Sequence, residues 1–166
     1  MTKKQSAGIL VYRKNGSTIE VLLAHPGGPY WKNKDTWTIP KGELEENEEL
    51  ITAAYREFHE ETGLQIDTSS TPLDLGFAKQ SSGKTNYIWG VESNPDVSAF
   101  SSITFTMEWP PKSGSEQEFP ESDRVGWFTL PMARKKIYGY QEIFLDRLIA
   151  ALGIVLTPDP EQQSLL

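Results

Sequence analysis

The segment GELEENEELITAAYREFHEETGL, residues 42–64, constrains the fold more than any other stretch of the chain. It sets eight glutamates, Glu43, Glu45, Glu46, Glu48, Glu49, Glu57, Glu60 and Glu61, against one strong cation, Arg56. Asn47 is a good N-cap residue, Glu48 and Glu49 suit the positive end of a helix, and Gly63 suits the left-handed residue that stops one. The pattern predicts a helix from about Glu48 to Thr62. At about 100° per residue, Glu57, Glu60 and Glu61 fall within an arc of roughly 100°, beside an apolar face of Leu50, Ala54 and Phe58. A solvated acidic face is the ordinary reading of such a helix. It fits poorly here, because Glu57 and Glu61 are like charges one turn apart and the helix has no lysine to offset them. Three carboxylates at the edge of a buried face are unfavourable unless a cation joins them. Oxygen donors without histidine or cysteine partners suit Mg²⁺ or Mn²⁺.

A chain of 166 residues suits one domain with a real core, and we expect a single domain over residues 1–153 followed by a polar, proline-broken tail at 154–166. The formal charge of −7 argues against non-specific binding to nucleic acid or an anionic membrane, both of which need a basic surface. With no cysteine, disulfide scaffolds, thiolate metal sites and thiol nucleophiles are excluded. The start, MTKKQSAGILVYRKNG, has too short an apolar run for a signal peptide, and no later stretch is long enough to span a bilayer. The expectation is a soluble cytoplasmic protein.

Strands are predicted at 6–13 and 17–25, joined by Asn15-Gly16, a strong hairpin signal that outweighs the glycosylation sequon formed with Ser17. A Gly/Pro/Trp-rich loop, PGGPYWKNKDTW, follows at 26–37 and is long enough to be functional. Further strands are expected at 74–80, 86–92, 103–109 and 124–130. Two helical segments close the chain, the last with an apolar stripe of Phe144, Leu148, Ala151 and Leu152.

The 42–64 segment matches throughout the signature G-x5-E-x7-R-E-U-x-E-E-x-G-U, where U is aliphatic or bulky and apolar. Gly42, Glu48, Arg56, Glu57, Phe58, Glu60, Glu61, Gly63 and Leu64 fill its positions in order. In this the chain resembles the Nudix hydrolases, and the order of its elements is similar too. The resemblance implies an α/β (α+β) fold, a Nudix-type α/β/α sandwich with a mixed β-sheet flanked by helices. It also implies hydrolysis of a nucleoside diphosphate linked to another group, by metal-assisted attack of water on phosphorus. Carried over by position, Glu57, Glu60 and Glu61 resemble the ligands for Mg²⁺ or Mn²⁺, joined by the backbone carbonyl of Lys41. Arg56 would orient the glutamates, Glu48 would hold Arg56, and Gly42 and Gly63 would be structural. Glu57 is a candidate general base.

Several members of the family place a further glutamate about six residues before a strand tryptophan, as base or extra ligand. That spacing selects Glu121 before Trp127, with Glu118 second; the alternative is an acidic surface loop. The stretch GFAKQSSGKT looks like a phosphate-binding loop, but Gly76 and Gly83 are two residues too far apart and strands flank it. The lead WTIPKGELE resembles the dinucleoside polyphosphate and diphosphoinositol branches. Lys41 either neutralises an additional phosphate or is a solvated turn lysine. Tyr30 and Trp31 either stack on a base or anchor their loop on the core. Two functions stand: a pyrophosphohydrolase of a small nucleotide, such as a dinucleoside polyphosphate or a nucleoside triphosphate, acting as monomer or homodimer; or a non-catalytic module that binds a nucleotide or a protein. The intact signature favours the enzyme.

Overall fold

In the computed structural model, residues 4–154 are described; the expected tail therefore lies almost wholly outside the described residues. A six-stranded mixed sheet has the order β4-β5-β1-β2-β8, with β3 pairing β1 off that path. Its strands are β1 (Gln5–Asn15), β2 (Thr18–Pro26), β3 (Lys41–Glu43), β4 (Leu73–Lys79), β5 (Thr85–Glu92) and β8 (Ser122–Thr129). β6 (Thr104–Glu108) and β7 (Glu116–Pro120) form a separate two-stranded hairpin. The helices are α1 (Leu50–Thr62), α2 (Leu130–Lys136) and α3 (Glu142–Leu152).

β1 reads as a continuous apolar run because it is central and both its faces are covered. Ala7, Ile9 and Val11 point to one side, where they pack with Leu22, Val91 and the α1 residues Ala53, Ala54 and Phe58. Leu10 and Tyr12 point to the other, with Ile88, Leu130, Ala133, Phe144, Leu145 and Leu148. Complete burial of a side chain such as Phe58 or Phe144 contributes about 1.5–3 kcal/mol. The result is the α/β/α sandwich.

β1 is shared along its length. Its C-terminal end pairs β2 from Tyr12↔Val21 to Asn15↔Thr18, around a turn in which Gly16 has φ 63°. Its N-terminal end pairs β3 instead, from Ser6↔Glu43 to Gly8↔Lys41. Gly8 permits this closeness, since a Cβ there would lie 2.4 Å from the Pro40 carbonyl and 2.5 Å from Lys41 Cβ. The divergence of β2 from β1 opens the region where the 26–37 loop, Lys41 and the end of α1 meet.

Four details differ from the sequence expectations. α1 begins at Leu50 rather than Glu48, with Glu49 at the N-cap and no side-chain cap. Asn47 is not the cap: it sits at φ 60° in a turn closed by Glu48 N–H to the Glu45 carbonyl and by Glu45 N–H to the Glu48 carboxylate, which also holds Arg56. β3 and β7 were not expected, the first being three residues long and the second a polar EQEFP run paired to β6. In α3, Ala151 is exposed, and Leu145 joins Phe144 and Leu148 on the buried face.

Candidate active site

α1 ends as its sequence suggests: Gly63 adopts φ 67° and its N–H bonds the His59 carbonyl at 2.7 Å. The last two turns aim their carboxylates at β3. Arg56 uses all five of its N–H donors. Nε and Nη2 form a fork on Glu48, both at 2.8 Å; Nη1 donates to Glu57 at 2.8 Å and Glu60 at 3.0 Å; Nη2 also donates to the Glu43 carbonyl at 3.0 Å. This guanidinium holds Glu48 well down, at about 2, through its hydrogen bonds.

A cavity of about 370 Å³ opens beside this network, lined by Lys41, Gly42, Glu43, Glu57, Glu60, Glu61, Ile103 and Glu121. Gly42 makes room for Glu57, whose carboxyl carbon lies 2.1 Å from where a Gly42 Cβ would be. Glu61 accepts the Lys41 backbone N–H at 3.3 Å. Burial, followed by the Glu57 carboxylate, pushes Glu61 up to about 8, against the pull of Lys41. Glu57 is also raised, by burial first, with Arg56 opposing. Burial likewise lowers the Lys41 ammonium from its ordinary value, against Glu61, Glu57 and Glu43.

Glu121 reaches this cavity through a backbone relay. Ile103 N–H bonds the Glu60 carbonyl at 2.9 Å, and the Ile103 carbonyl accepts the Glu121 N–H at 2.9 Å. Although the residue is exposed at its outer edge, partial desolvation raises its carboxyl. Glu118 lies elsewhere, on the hairpin, accepting the Thr104 hydroxyl at 2.6 Å. Ile103, Glu43 and the hairpin were not picked out from the sequence as parts of a site, and nothing in their local pattern marks them.

Two further cavities adjoin. One, of about 230 Å³, shares Lys41 and is lined by Pro26, Trp31, Thr38, Gln80, Tyr138, Tyr140 and Gln141. Its polarity is set from the core. The Ile39 N–H occupies the Gln141 side-chain carbonyl at 2.8 Å, so the Gln141 amide N–H turns to the Tyr140 oxygen at 3.0 Å. Tyr140 is thereby left to donate its own hydroxyl proton, and with the Lys41 ammonium it presents donors to this cavity. The other, of about 380 Å³, shares Glu121 and contains both Tyr30 and Trp31. Tyr30 is exposed and meets Trp109 edge-on at 5.2 Å. Trp31 belongs to both cavities, packing on Tyr138 at 6.0 Å with the Lys34 ammonium 4.8 Å from its ring. The GFAKQSSGKT segment forms the antiparallel β4–β5 pair and its turn, with Lys84 bound to Glu43 at 3.0 Å.

An α/β/α sandwich with an arginine-organised carboxylate cavity at the end of its first helix defines a class of protein that the comparisons identify. A family model for the NUDIX domain matches residues 2–148, and the chain belongs to the Nudix family. It is 27% identical to an RNA pyrophosphohydrolase of Bartonella henselae over 77% of this chain and 79% of that protein. It is 41% identical to Nudix hydrolase 7 of Arabidopsis thaliana, but the match covers 37% of this chain and about a fifth (21%) of that relative. The crystal structure of a C. elegans Ap4A hydrolase binary complex superposes with a TM-score of 0.62 at 25% identity, covering 89% of this chain and 98% of that one. No helix among the described residues is long and apolar enough to cross a membrane.

Proposed function

We propose that this protein is a metal-dependent pyrophosphohydrolase that cleaves a nucleoside diphosphate linked to another group, with a nucleotide polyphosphate, such as a dinucleoside polyphosphate or a nucleoside triphosphate, as substrate. The observation that carries the reading is the meeting of Glu57, Glu60, Glu61, Glu121 and Lys41 around one cavity next to a donor-lined pocket. Acidic groups alone would repel a diphosphate; the fit comes from what they can hold.

The donor set is oxygen only, and a buried carboxylate such as Glu61 is disfavoured as an anion without a cation beside it. These residues fit a hard divalent ion, Mg²⁺ or Mn²⁺, although among the described residues no three acidic groups already form a ready-made ligand cluster. Glu57, Glu60 and Glu61, with the Lys41 carbonyl, would hold it, Glu57 and Glu60 exchanging part of their contact with Arg56. Such an ion supplies charge neutralisation of the diphosphate and a lower pKa for the attacking water. Arg56 orients the carboxylates, and Glu48 anchors Arg56. Glu121 or Glu57, each raised by burial, accepts the water proton. Lys41 and Tyr140 meet the phosphate oxygens outside the metal.

The names carried by two relatives, an RNA pyrophosphohydrolase and an Ap4A hydrolase, support a nucleotide polyphosphate over a nucleotide sugar. In this reading residues 1–153 act as one domain, as monomer or homodimer in the cytoplasm, as absent cysteine and an acidic surface suit. The test is a turnover screen of dinucleoside polyphosphates, nucleoside triphosphates, nucleotide sugars and capped RNA with Mg²⁺ and Mn²⁺. Turnover of diadenosine tetraphosphate is expected. Activity confined to nucleotide sugars rejects the polyphosphate preference, and ligand binding without turnover of any compound rejects the enzyme.

A further inference from the structure

The chain has two histidines. His59 is exposed on α1, whereas His25, near the end of β2, is fully buried. A buried imidazole needs partners for both ring nitrogens, and both of those of His25 face acceptors. Nδ1 lies 2.8 Å from an oxygen of the Asp123 carboxylate, and Nε2 lies 2.5 Å from the Lys34 carbonyl. A neutral ring has one N–H and sets a lone pair against the oxygen of the other partner. Only a ring protonated on both nitrogens donates to both while Asp123 is a carboxylate.

The two acceptors belong to segments that line the site. Lys34 is on the 26–37 loop, which carries Trp31 into both cavities beside the carboxylates. Asp123 stands two residues after Glu121, on the edge strand β8. The near end of the loop is seated on the β6–β7 hairpin. The Gly27 N–H bonds the Glu121 carbonyl at 2.9 Å, and a Cβ on Gly27 would lie 1.9 Å from the Pro120 carbonyl. Gly28, at φ +92°, passes beneath Phe105, whose ring is 3.1 Å from where a Cβ would stand. Loop and hairpin thus form one wall. Further along, the Trp31 and Lys32 N–H groups bond the Gly28 carbonyl and the Lys34 N–H bonds the Trp31 carbonyl, all within the loop. The Lys34 carbonyl is the backbone group through which this stretch meets the body of the protein, at His25.

The other charges around the ring are committed elsewhere. From β8, Arg124 lies over the Trp37 ring at 5.2 Å; from the loop, the Lys34 ammonium lies over Trp31 at 4.8 Å. Asp35 accepts the Trp37 indole N–H at 2.9 Å and the Lys136 ammonium of α2. Trp37 itself meets the imidazole edge-on at 5.2 Å. Asp123 is the anion that bonds the ring directly.

We propose that His25 is a positioning residue for the 26–37 loop, a latch that fixes Trp31 over the site while both ring nitrogens are protonated and frees the Lys34 end when one proton leaves. Its effect on substrate rests on the pyrophosphohydrolase reading; the latch itself does not. Asp123→Asn tells it apart from a merely structural histidine. An asparagine amide donates to Nδ1, so a neutral ring with its proton on Nε2 makes both bonds, and the second proton is no longer needed. Long-range nitrogen–proton NMR reads the ring, with His59→Gln to assign it, and amide protection factors of Trp31, Lys32 and Lys34 read the loop. Across the interval in which histidines change charge, about pH 5 to 8, the wild-type ring should go from two N–H groups to one. Loop protection should fall with it by about tenfold, the effect of one hydrogen bond from a charged group. In Asp123→Asn, protection should stay level. A wild-type ring with one N–H throughout, protection that does not follow the ring, or a wild-type pH dependence kept in Asp123→Asn overturns the latch.

For diadenosine tetraphosphate, the KM of the wild type relative to that of Asp123→Asn should rise about tenfold over the same interval, with the kcat ratio held within about twofold. The ratio cancels groups common to both proteins, such as Lys41 and Glu61. A constant KM ratio overturns the role in positioning the loop for substrate. If neither protein turns the compound over, the pyrophosphohydrolase reading fails separately, and the ring and loop measurements decide the latch.

Discussion

The Nη1 nitrogen of Arg56 donates to Glu57 at 2.8 Å and to Glu60 at 3.0 Å, so one cation spans two carboxylates on consecutive turns of α1. The pair would otherwise repel across the edge of the core. Removing the guanidinium leaves Glu48 without its fork as well. Arg56→Ala should therefore lose about 1.5–3 kcal/mol of stability in urea unfolding, the range for hydrogen bonds to charged groups. Arg56→Lys, which cannot form the fork, should recover less than half of that loss. An unchanged midpoint in Arg56→Ala would mean that the network adds nothing to folding.

Gly42 is where a single methyl group reaches the site. A Cβ there would overlap the Glu57 carboxyl at 2.1 Å, the end of a flexible side chain, so the side chain moves and the strand stays. Gly42→Ala should keep its stability within about 1 kcal/mol but weaken Mn²⁺ binding in calorimetry about tenfold. Undiminished binding would remove Glu57 from the ligand set.

For Glu121, the backbone relay through Ile103 and the raised carboxyl suit a proton acceptor. Glu121→Gln keeps the shape and removes the base, so turnover should fall at least about tenfold, about 1.4 kcal/mol of barrier. A full-rate variant returns the role to Glu57.

Lys41 faces both the carboxylates and the donor-lined pocket. Lys41→Ala should raise KM for diadenosine tetraphosphate more than for any nucleotide sugar, by about 1–2 kcal/mol, as expected for a charge-assisted contact. Equal changes for the two substrates would refute a role in binding the additional phosphates.

Acid sensitivity follows from Glu48. Its folded-state pKa of about 2 lies below the ordinary 4.5, so the unfolded chain binds more protons between those values. The stabilisation is complete above pH 4.5 and is lost as pH falls toward 2. Glu48→Gln should flatten that part of a pH–stability curve measured by urea unfolding. A slope unaltered by the substitution would assign the acid loss to other groups.

The parts of the site that were legible in the sequence are those whose chemistry is contiguous. Arg56, Glu57, Glu60 and Glu61 lie within two helical turns, so periodicity puts them together, whereas Glu121 was a candidate only through the family resemblance, by its distance from Trp127. Asn47 was misread because capping preference is a local rule, whereas the turn that holds it is closed through Glu48, whose carboxylate also holds Arg56 in the folded helix. Tyr140 and Gln141 were invisible as site residues because their polarity comes from the Ile39 N–H, 102 positions away from Gln141. β3 is too short to show a period, and it becomes a strand only because β1 offers it an edge. The hairpin wall depends on glycines meeting Pro120 and Phe105, contacts that no local pattern encodes.

The parallel pairing of β1 with β5 sets Gln5 against Thr85, eighty residues further along the chain. During synthesis β1, β2, β3 and α1 all exist before β5 does, and for that interval one edge of the central strand is a row of unpaired N–H and C=O groups. Long-range parallel pairing closes slowly, so neighbouring nascent chains have time to meet. The acidic 42–61 stretch is complete by then, and its charge keeps such half-made copies apart. The glutamates proposed to serve the finished site would thus place like charge on every unfinished copy while that edge is open.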